Sequence, residues 1–505
     1  MVEDRIVGLC RSMSFRIDYS NASGRSRRSA VQRHFPAVLR VRRTHEVHDV
    51  TGKSRKNLQL CKTSCLIVRI ENIGCQRLPG VNMRLYEVLF LVSSVAAQAC
   101  LYPMCPPFDG ATNCNINGTI GTTPQDFSII GPPLQAVHES VQAPTGLAVD
   151  NDLNIYLTYP RNSGATKYNV VIATNFTGEE PWPSSSIQNC STGQNASTCF
   201  INVQNVVLDS QGVMWIVDSG IPYTTPGGMA VSGGSKIMSF NISTKELIRT
   251  YPIPDQLLAN GMNANDVRIN NTVGSGGFAF ITDESKYGSI LAIDLDTGGI
   301  VRRLFNTSVV RADEGYVGSY DGQPIYSWNM TKKSFINTGS DGIALQSGNV
   351  YWGVLASRRF YYVPQEIMAN FSATEEEVLA AVVYAGQLGS EQAGFTADDK
   401  GRLYLTASEQ NAIYYVDTLQ SQVTEEVNGV PAGGSGAVAP ENYVVKTFVR
   451  SGLIQHADSA AILDDYMYFC TNQLELSPSR QYMNVDARRG PFRSYRVYVG
   501  AGPAV

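Results

Sequence analysis

A short hairpin pattern occurs six times along this chain, and that repetition narrows the possible folds more than any other feature. The copies are "TGLAVDNDLNIYLTYP" from Thr145, "QNVVLDSQGVMWIVDSG" from Gln204, "NDVRINNTVGSGGFAFITDES" from Asn265, "DGIALQSGNVYWGVLAS" from Asp341, "AGFTADDKGRLYLTASEQ" from Ala393 and "DSAAILDDYMYFCTNQL" from Asp458. Each copy runs through a short apolar strand, turns on Asp, Asn, Gly or Ser, and enters a second strand carrying an aromatic. The aromatics are Tyr156, Trp215, Phe280, Trp352, Tyr404 and Tyr468, although aromatics make up only 9% of the chain. Successive copies start 59, 61, 76, 52 and 65 residues apart, which leaves room for two further strands per unit. Four strands in each of six units predict an all-β, six-bladed β-propeller over 141–505. The rival reading, a pair of β-sandwiches, accounts less well for six-fold repetition. The best helical candidate is "ATEEEVLAAVVYAG", and "VPAGGSGAVAP" (430–440) reads as a loop within the propeller.

The net charge of −4 conceals an uneven distribution. Residues 1–82 carry 16 Lys/Arg against 6 Asp/Glu, leaving 24 against 38 for the remainder. This basic segment reads as a disordered or mis-assigned leader; a basic targeting arm is the alternative. At 83–99, "MRLYEVLFLVSSVAAQA" has a cation, an apolar run and a small-x-small site, as in a secretory signal peptide. Residues 100–140 then form a Cys-rich lead-in. Nine Asn-x-Ser/Thr sequons follow, at Asn117, Asn175, Asn189, Asn195, Asn241, Asn270, Asn306, Asn329 and Asn370. Together they predict a glycosylated protein that is secreted or in the secretory lumen. No other run is apolar enough to span a membrane, so no membrane association is expected after signal cleavage.

Beyond the leader the cysteines are Cys100, Cys105, Cys114, Cys190, Cys199 and Cys470. An even number in an oxidising compartment predicts disulfides, with Cys190–Cys199 closing a short loop and Cys470 reaching one of the N-terminal three. Zinc is disfavoured, since no Cys-x-x-Cys occurs and only His138 and His456 remain after the leader. Phosphate-cradling motifs are absent, and the acidic main body argues against a nucleic-acid partner.

In a propeller the inner strands line a channel, and ligands sit where the strand starts open at one face. That column is Thr145, Gln204, Asn265, Asp341, Ala393 and Asp458, flanked by Asn205, Asp266, Gln392 and His456. A second rim holds Tyr159, Asp218, Asp283, Arg358, Glu409 and Asn472. Convergent polar groups over an apolar floor suit a small hydrophobic or aromatic substrate. For any one residue, bonding to loop N–H groups is the better account, whereas for the ring as a whole the balance reverses in favour of a ligand site. No Gly-x-Ser-x-Gly elbow exists to support a serine nucleophile. No resident cofactor is expected, although Asn205, Asp266 and Asp341 offer oxygens for a channel-bound divalent cation. "DLDTGG" at Asp294 lacks the closing glutamate of a calcium loop and reads as a turn.

The stretches "VMWIVDSG", "FAFITDESKYGSILAIDLDTG", "DGIALQSGNVYWGVLASRRFYYVP" and "YMYFCTNQL" resemble the yellow/major royal jelly protein family over roughly 145–474. The resemblance implies a secreted six-bladed propeller with a pocket at the channel mouth. Members range from amine binders and pigment-pathway isomerases to nutritive proteins. In its compact blades and dense sequons the chain is similar to fungal propellers acting as hetero-Diels–Alderases, which join a tropolone-derived quinone methide to a humulene-type terpene. Such a cycloaddition needs no nucleophile, only two apolar reactants held in near-attack geometry with donors to a carbonyl oxygen. On that reading His456, Arg358 or Tyr159 donates to the oxygen, Asp341 or Asp458 assists loss of water, and Trp352 supplies apolar wall. The alternatives are a non-catalytic binder of small aromatic molecules, a yellow-type isomerase, and a metal-dependent lactonase-like hydrolase. The last is weakened because "APTGLAV" stands where gluconolactonase-type propellers carry a Glu-Gly-Pro strand.

Overall fold

The computed structural model describes residues 129–504 except 161–165, 192, 223–227, 259–260 and 427–428. The leader, the signal-like segment, Cys100, Cys105, Cys114 and the Asn117 sequon lie outside the described residues. After β1 (Leu134–Ser140), blade 1 comprises β2 (Gly146–Val149), β3 (Ile155–Thr158), β4 (Val170–Ala173) and β5 (Glu179–Pro181). Blade 2 is β6 (Val203–Leu208), β7 (Val213–Asp218), β8 (Lys236–Asn241) and β9 (Leu247–Pro252). Blade 3 is β10 (Ala264–Asn270), β11 (Phe278–Asp283), β12 (Ser289–Asp294) and β13 (Ile300–Arg303). Two small hairpins follow, β14 (Gly318–Tyr320) with β15 (Gln323–Ile325), and β16 (Ser327–Asn329) with β17 (Lys332–Ser334). Blade 4 is β18 (Ser340–Gln346), β19 (Asn349–Val354), β20 (Arg359–Pro364) and β21 (Val383–Gln387). Blade 5 is β22 (Phe395–Ala397), β23 (Arg402–Ala407), β24 (Ala412–Asp417) and β25 (Lys446–Arg450). Blade 6 is β26 (Ala457–Leu463), β27 (Tyr466–Thr471) and β28 (Phe492–Tyr498), with β1 as its outermost strand.

The protein is therefore an all-β, six-bladed propeller. The inner strands touch in the cyclic order β2, β6, β10, β18, β22, β26 and back to β2. Each blade faces two neighbours, so its middle strands are buried on both sides; five of the six residues of β7 are buried, whereas only one of the six residues of β9 at the rim is. The ring closes through β1, which pairs antiparallel with β28 from Leu134↔Val497 to Ser140↔Phe492. The propeller thus begins within the 100–140 lead-in rather than at 141.

The aromatic column has a physical cause. In blades 1, 2 and 5 an aspartate in the first turn caps that turn and also accepts from the aromatic six residues later. Asp209 Oδ1 takes the Gln211 and Val213 N–H groups while Oδ2 takes Trp215 Nε1 at 2.8 Å. Asp150 and Asp398 treat the Tyr156 and Tyr404 hydroxyls likewise, at 2.8 and 3.0 Å. The ring fills the inter-blade core while its polar edge is satisfied at the turn.

The helical candidate divides into two elements. Thr374 and Glu377 form a capping box for α2 (Glu375–Ala380), which follows the short α1 (Gln365–Ala369), and the later residues of the candidate enter β21. The 430–440 stretch lies between β24 and β25, inside blade 5, and "DLDTGG" is the β12–β13 turn, with Asp294 Oδ1 accepting the Asp296 and Thr297 N–H groups. Cys190 and Cys199 form the expected disulfide. Among the described residues Cys470 is free and buried, its thiol facing Thr145 O at 3.5 Å, and the three N-terminal cysteines expected to pair with it lie outside the described residues. Asn175, Asn189, Asn195, Asn241, Asn306, Asn329 and Asn370 are exposed. Asn270 is not: it is 7% exposed, and its amide donates to Gln365 Oε1 at 2.7 Å, which leaves no room for a glycan in the folded state.

Candidate functional site

At the face where the inner strands start, amide–carboxylate pairs link blade 2 to blade 3 and blade 3 to blade 4, and a third lies within blade 6. Asn205 Nδ2 donates to Asp266, and Asn265 Nδ2 donates to Asp341 Oδ1 at 2.5 Å. Asn472 Nδ2 donates to Asp458 Oδ2 at 2.6 Å, and Ser459 Oγ donates to Asn205 Oδ1 at 3.2 Å. Thr145 Oγ1 donates to Gln204 O at 2.7 Å. Gln392 Nε2 donates to Arg359 O at 2.8 Å. The strand starts therefore do converge on the channel, as their position in the repeats predicts.

Several members keep buried polar atoms without a partner among the described residues: Gln204 Nε2, Asp266 Oδ2, Gln392 Oε1 and His456 Nε2. Such atoms are costly to bury unless a ligand or water satisfies them. His456 has a left-handed backbone (φ +54°) that turns its ring inward, and its Nδ1 lies 2.7 Å from Glu475 Oε1.

A lid built from two distant segments closes this face. Residues 474–487 follow β27 and lie against the hairpin β16–β17. Trp328 meets Tyr482 edge-to-face with ring centroids 5.3 Å apart, Met330 N donates to Asn484 Oδ1 at 2.6 Å, and Met483 N donates to Met330 O at 3.0 Å. The underside of the lid is apolar, with Tyr320, Ile325 and Ile336 packed near Leu474 and Leu476. Glu475 and Arg480 reach from it toward the channel, and Arg480 Nη2 lies 3.2 Å from Glu391 Oε1. Glu409 anchors the hairpin side: it accepts from the Ser319 N–H and hydroxyl, the Tyr316 hydroxyl and the Glu391 N–H.

Crowding of carboxylates under this lid shifts their protonation. Burial, reinforced by Asp458, Asp266 and Asp283, pushes Glu284 up to about 8. Burial and the carboxylates of Glu284, Asp266 and Asp458 hold Asp341 well above the usual carboxylate range. Burial raises Asp458 to about 7 against the pull of His456, and Asp266 to about 6 against Arg268. His456 is pushed up to about 9: burial works against its charge, but Glu475, Asp458 and Glu391 outweigh it. Glu475 is held low, because the charge on His456 and the hydrogen bond to it overcome the effect of burial. At neutral pH the buried cluster beneath the lid thus contains a neutral carboxyl on Glu284, with Asp341 raised in the same direction, together with a charged His456–Glu475 pair.

Three of the expected site residues lie elsewhere or do other work. Tyr159 packs at the blade 1–blade 6 seam, its hydroxyl bonded to Ser140 Oγ at 2.9 Å and to Glu179, a residue that also pairs with His138. Trp352 is fully buried between blades 3 and 4, stacked on Tyr361 with Nε1 donating to Val309 O at 2.9 Å, so it is core rather than pocket wall. Arg358 is committed to Glu409 at 2.9 Å over the Tyr316 ring and remains 39% exposed at the rim. Sequence reasoning missed Glu284, Glu391, Glu475 and Arg480. The first directly follows the rim residue Asp283, whereas the other three come from loops with no repeat signature. Among the described residues no three His, Cys, Asp or Glu side chains converge as a metal site. Asp266 and Asp341 each already accept an amide N–H.

The family described as major royal jelly protein matches residues 201–476, more than half of the chain. The chain belongs to the major royal jelly protein family. That match runs from the start of blade 2 to the lid residues Glu475 and Leu476, so it includes most of the acidic ring. No curated protein sequence matches the chain. Among solved structures it is similar to a luciferin-regenerating enzyme at 10% identity and TM-score 0.40, covering 74% of this chain and 99% of that one. A putative gluconolactonase follows at 9% identity and TM-score 0.40, covering 75% and 96%. Regucalcin, a calcium-binding protein from Agrobacterium tumefaciens, has 9% identity and TM-score 0.39, covering 73% and 99%.

Proposed function

We propose that the buried acidic cluster beneath the lid is the active site of a proton-transfer enzyme acting on a small, largely apolar molecule. The observation that carries this reading is the coexistence, in one buried cluster, of carboxyls raised by burial and crowding on Asp341 and Glu284 with a carboxylate held low on Glu475. Carboxyls kept neutral near pH 7 are general acids, and a nearby carboxylate of lower pKa is the matching base. Asp266 fills the second role, since it ionises near 6 and its Oδ2 has no partner among the described residues.

The specific reaction we propose is hetero-Diels–Alder synthesis of a tropolonic terpenoid. A hydroxymethyl-bearing tropolone-type precursor loses water first. Asp341 gives its proton to the departing hydroxyl as the C–O bond breaks, and Asp266 takes the proton from the ring hydroxyl, leaving a neutral quinone methide. The quinone methide then adds to a double bond of a humulene-type terpene, forming two bonds with no atom lost. His456 Nε2 supplies the hydrogen bond to the quinone-methide oxygen. Enclosure under the lid keeps water from trapping that intermediate. The Cys190–Cys199 disulfide and the seven exposed sequons support a secretory location for this chemistry.

Asp341→Asn and Glu284→Gln are each expected to lower kcat by roughly 100-fold or more, with little change in melting temperature. Product formation from a tropolone-type alcohol and humulene, followed by mass spectrometry, measures the effect. Turnover close to wild type in both variants would remove the cluster as the site.

The excess of carboxylates in the cluster favours a second reading, a non-catalytic binder of a small aromatic amine. A cationic ligand would draw Asp341 and Glu284 into their ionised forms, so binding would release protons. Calorimetry in buffers of different ionisation enthalpy distinguishes this case, because a substrate of the proposed enzyme is neutral and binds without that release.

A further inference from the structure

The far end of the channel holds a cavity of about 750 Å³. It opens among the first turns of the blades, where Asn151, Asp152, Ser210 and Lys245 are exposed. Inner strands of all six blades supply aliphatic side chains to its walls, namely Val149, Val207, Ile269, Leu345, Ala397 and Ile462, while polar groups of the turns line the rest. These residues look like ordinary strand core in the sequence, and only the ring arrangement turns them toward a shared space.

Among the described residues, the one cationic side chain set on these inner-strand walls is Arg268 of β10. It reaches across the channel: Nη1 donates to Val267 O at 2.7 Å, and Nη2 donates to Phe395 O at 2.5 Å and faces Ala460 O at 3.5 Å. Carbonyls position the guanidinium but do not neutralise it. Asp266 acts on it through space without forming an ion pair, and its Oδ1 is taken by Asn205. The carboxylates of Asp150 and Asp209 at the cavity mouth are held by the Tyr156 hydroxyl and the Trp215 indole. A guanidinium has five N–H donors, so Arg268 retains donors for one further acceptor. An enclosed guanidinium without a bonded counter-charge is costly, and an anion at this position would offset that cost.

We infer that this vestibule is a second binding site, for an apolar molecule bearing one anionic group, with the anion on Arg268 and the apolar body along the aliphatic walls. The volume is that of a typical small-molecule site. The inference is independent of the reaction proposed for the acidic cluster beneath the lid, which lies on the other side of Arg268.

Two naphthalene probes of similar size test it: 8-anilinonaphthalene-1-sulfonate, which is anionic, and N-phenyl-1-naphthylamine, which is neutral. Fluorescence titration of the full chain should show one sulfonate site. Arg268→Met should weaken the sulfonate about tenfold or more, the loss expected for a charge-assisted hydrogen bond, and leave the neutral probe nearly unchanged. Because Arg268 also braces three blades, Leu463→Glu provides a second variant. Leu463 is half-buried on the vestibule wall, and a carboxylate there should repel the sulfonate selectively. Equal binding of the two probes by the unaltered protein would overturn the inference. So would sulfonate affinity unchanged in either folded variant, and if Arg268→Met does not fold, Leu463→Glu decides. Dodecanoate displacing the sulfonate would show that carboxylates are accepted as well, extending the support from sulfonates to the wider class.

Discussion

Replacing Lys236 with methionine is expected to destabilise the propeller by about 3–5 kcal/mol, the usual cost of removing one partner from a buried ion pair. Lys236 and Asp218 are both fully buried in blade 2, directly opposite each other on β8 and β7, with Nζ 2.7 Å from Oδ2. Asp218 also accepts the N–H groups of Ile201, Asn202 and Gly220. It thereby fixes the loop that leads into β6, where Gln204 and Asn205 take their places in the ring. The methionine variant would leave a buried carboxylate with dipoles but no counter-charge. Asp218→Asn alone would strand the ammonium instead. The double variant Lys236→Met/Asp218→Asn should recover part of the loss, because neither charge is then left unpaired. Urea denaturation of the four proteins measures the cycle. Single variants within about 1 kcal/mol of wild type would show that the pair contributes little.

Thermal stability is expected to fall steadily as pH rises from about 5 to about 9, with the steepest loss between about pH 5 and 7, where the folded state holds the most extra protons. Asp266, Asp458 and Glu284 are raised to about 6, 7 and 8, so each binds a proton more tightly folded than unfolded. Their favourable protonation is complete below about pH 4 and is lost as pH climbs through those folded values. His456 acts in the same sense. Its contribution is full below its unfolded pKa near 6.5 and disappears as pH passes about 9, on the order of 3 kcal/mol for a group this buried. Glu475, Asp294 and Asp486 are held low and act oppositely, but their window lies at about pH 4 and below. Melting temperatures across pH 5 to 9 test the expectation, and a flat or rising profile contradicts it. Glu475→Gln should flatten the part above neutrality by removing the principal support for the His456 charge.

The fold was readable because propeller blades repeat their local chemistry. Turn aspartate, aromatic and strand start recur at nearly fixed offsets, so Tyr156, Trp215 and Tyr404 could be aligned without any coordinates. The ring of Asn205, Asn265, Asp266, Asp341 and Asp458 followed from the same alignment. What could not be read was depth. Tyr159 and Asp218 occupy comparable positions at strand ends, yet one lies at an inter-blade seam and the other inside blade 2. Lys236 gave no signal, since a lysine in a strand is ordinarily solvated and only its register opposite Asp218 buries it. Glu391, Glu475 and Arg480 come from loops outside the repeat, and the lid brings them together across long chain separations; Arg480 and Glu391 are 89 residues apart. Trp352 suggested a pocket wall, but its side chain faces between the blades.

Closure of the ring by β1 also sets the order in which the protein can be completed during synthesis. Arg493 of β28 bonds Glu139 of β1 across 354 residues of chain. At roughly 5–20 residues per second, β1 waits on the order of 20–70 s after leaving the ribosome before its partner is made. During that interval its backbone edge is unpaired, and so are the faces of the blades already formed, which makes this the period of greatest exposure to aggregation. The nascent chain therefore depends on whatever shields that first strand until the last one arrives.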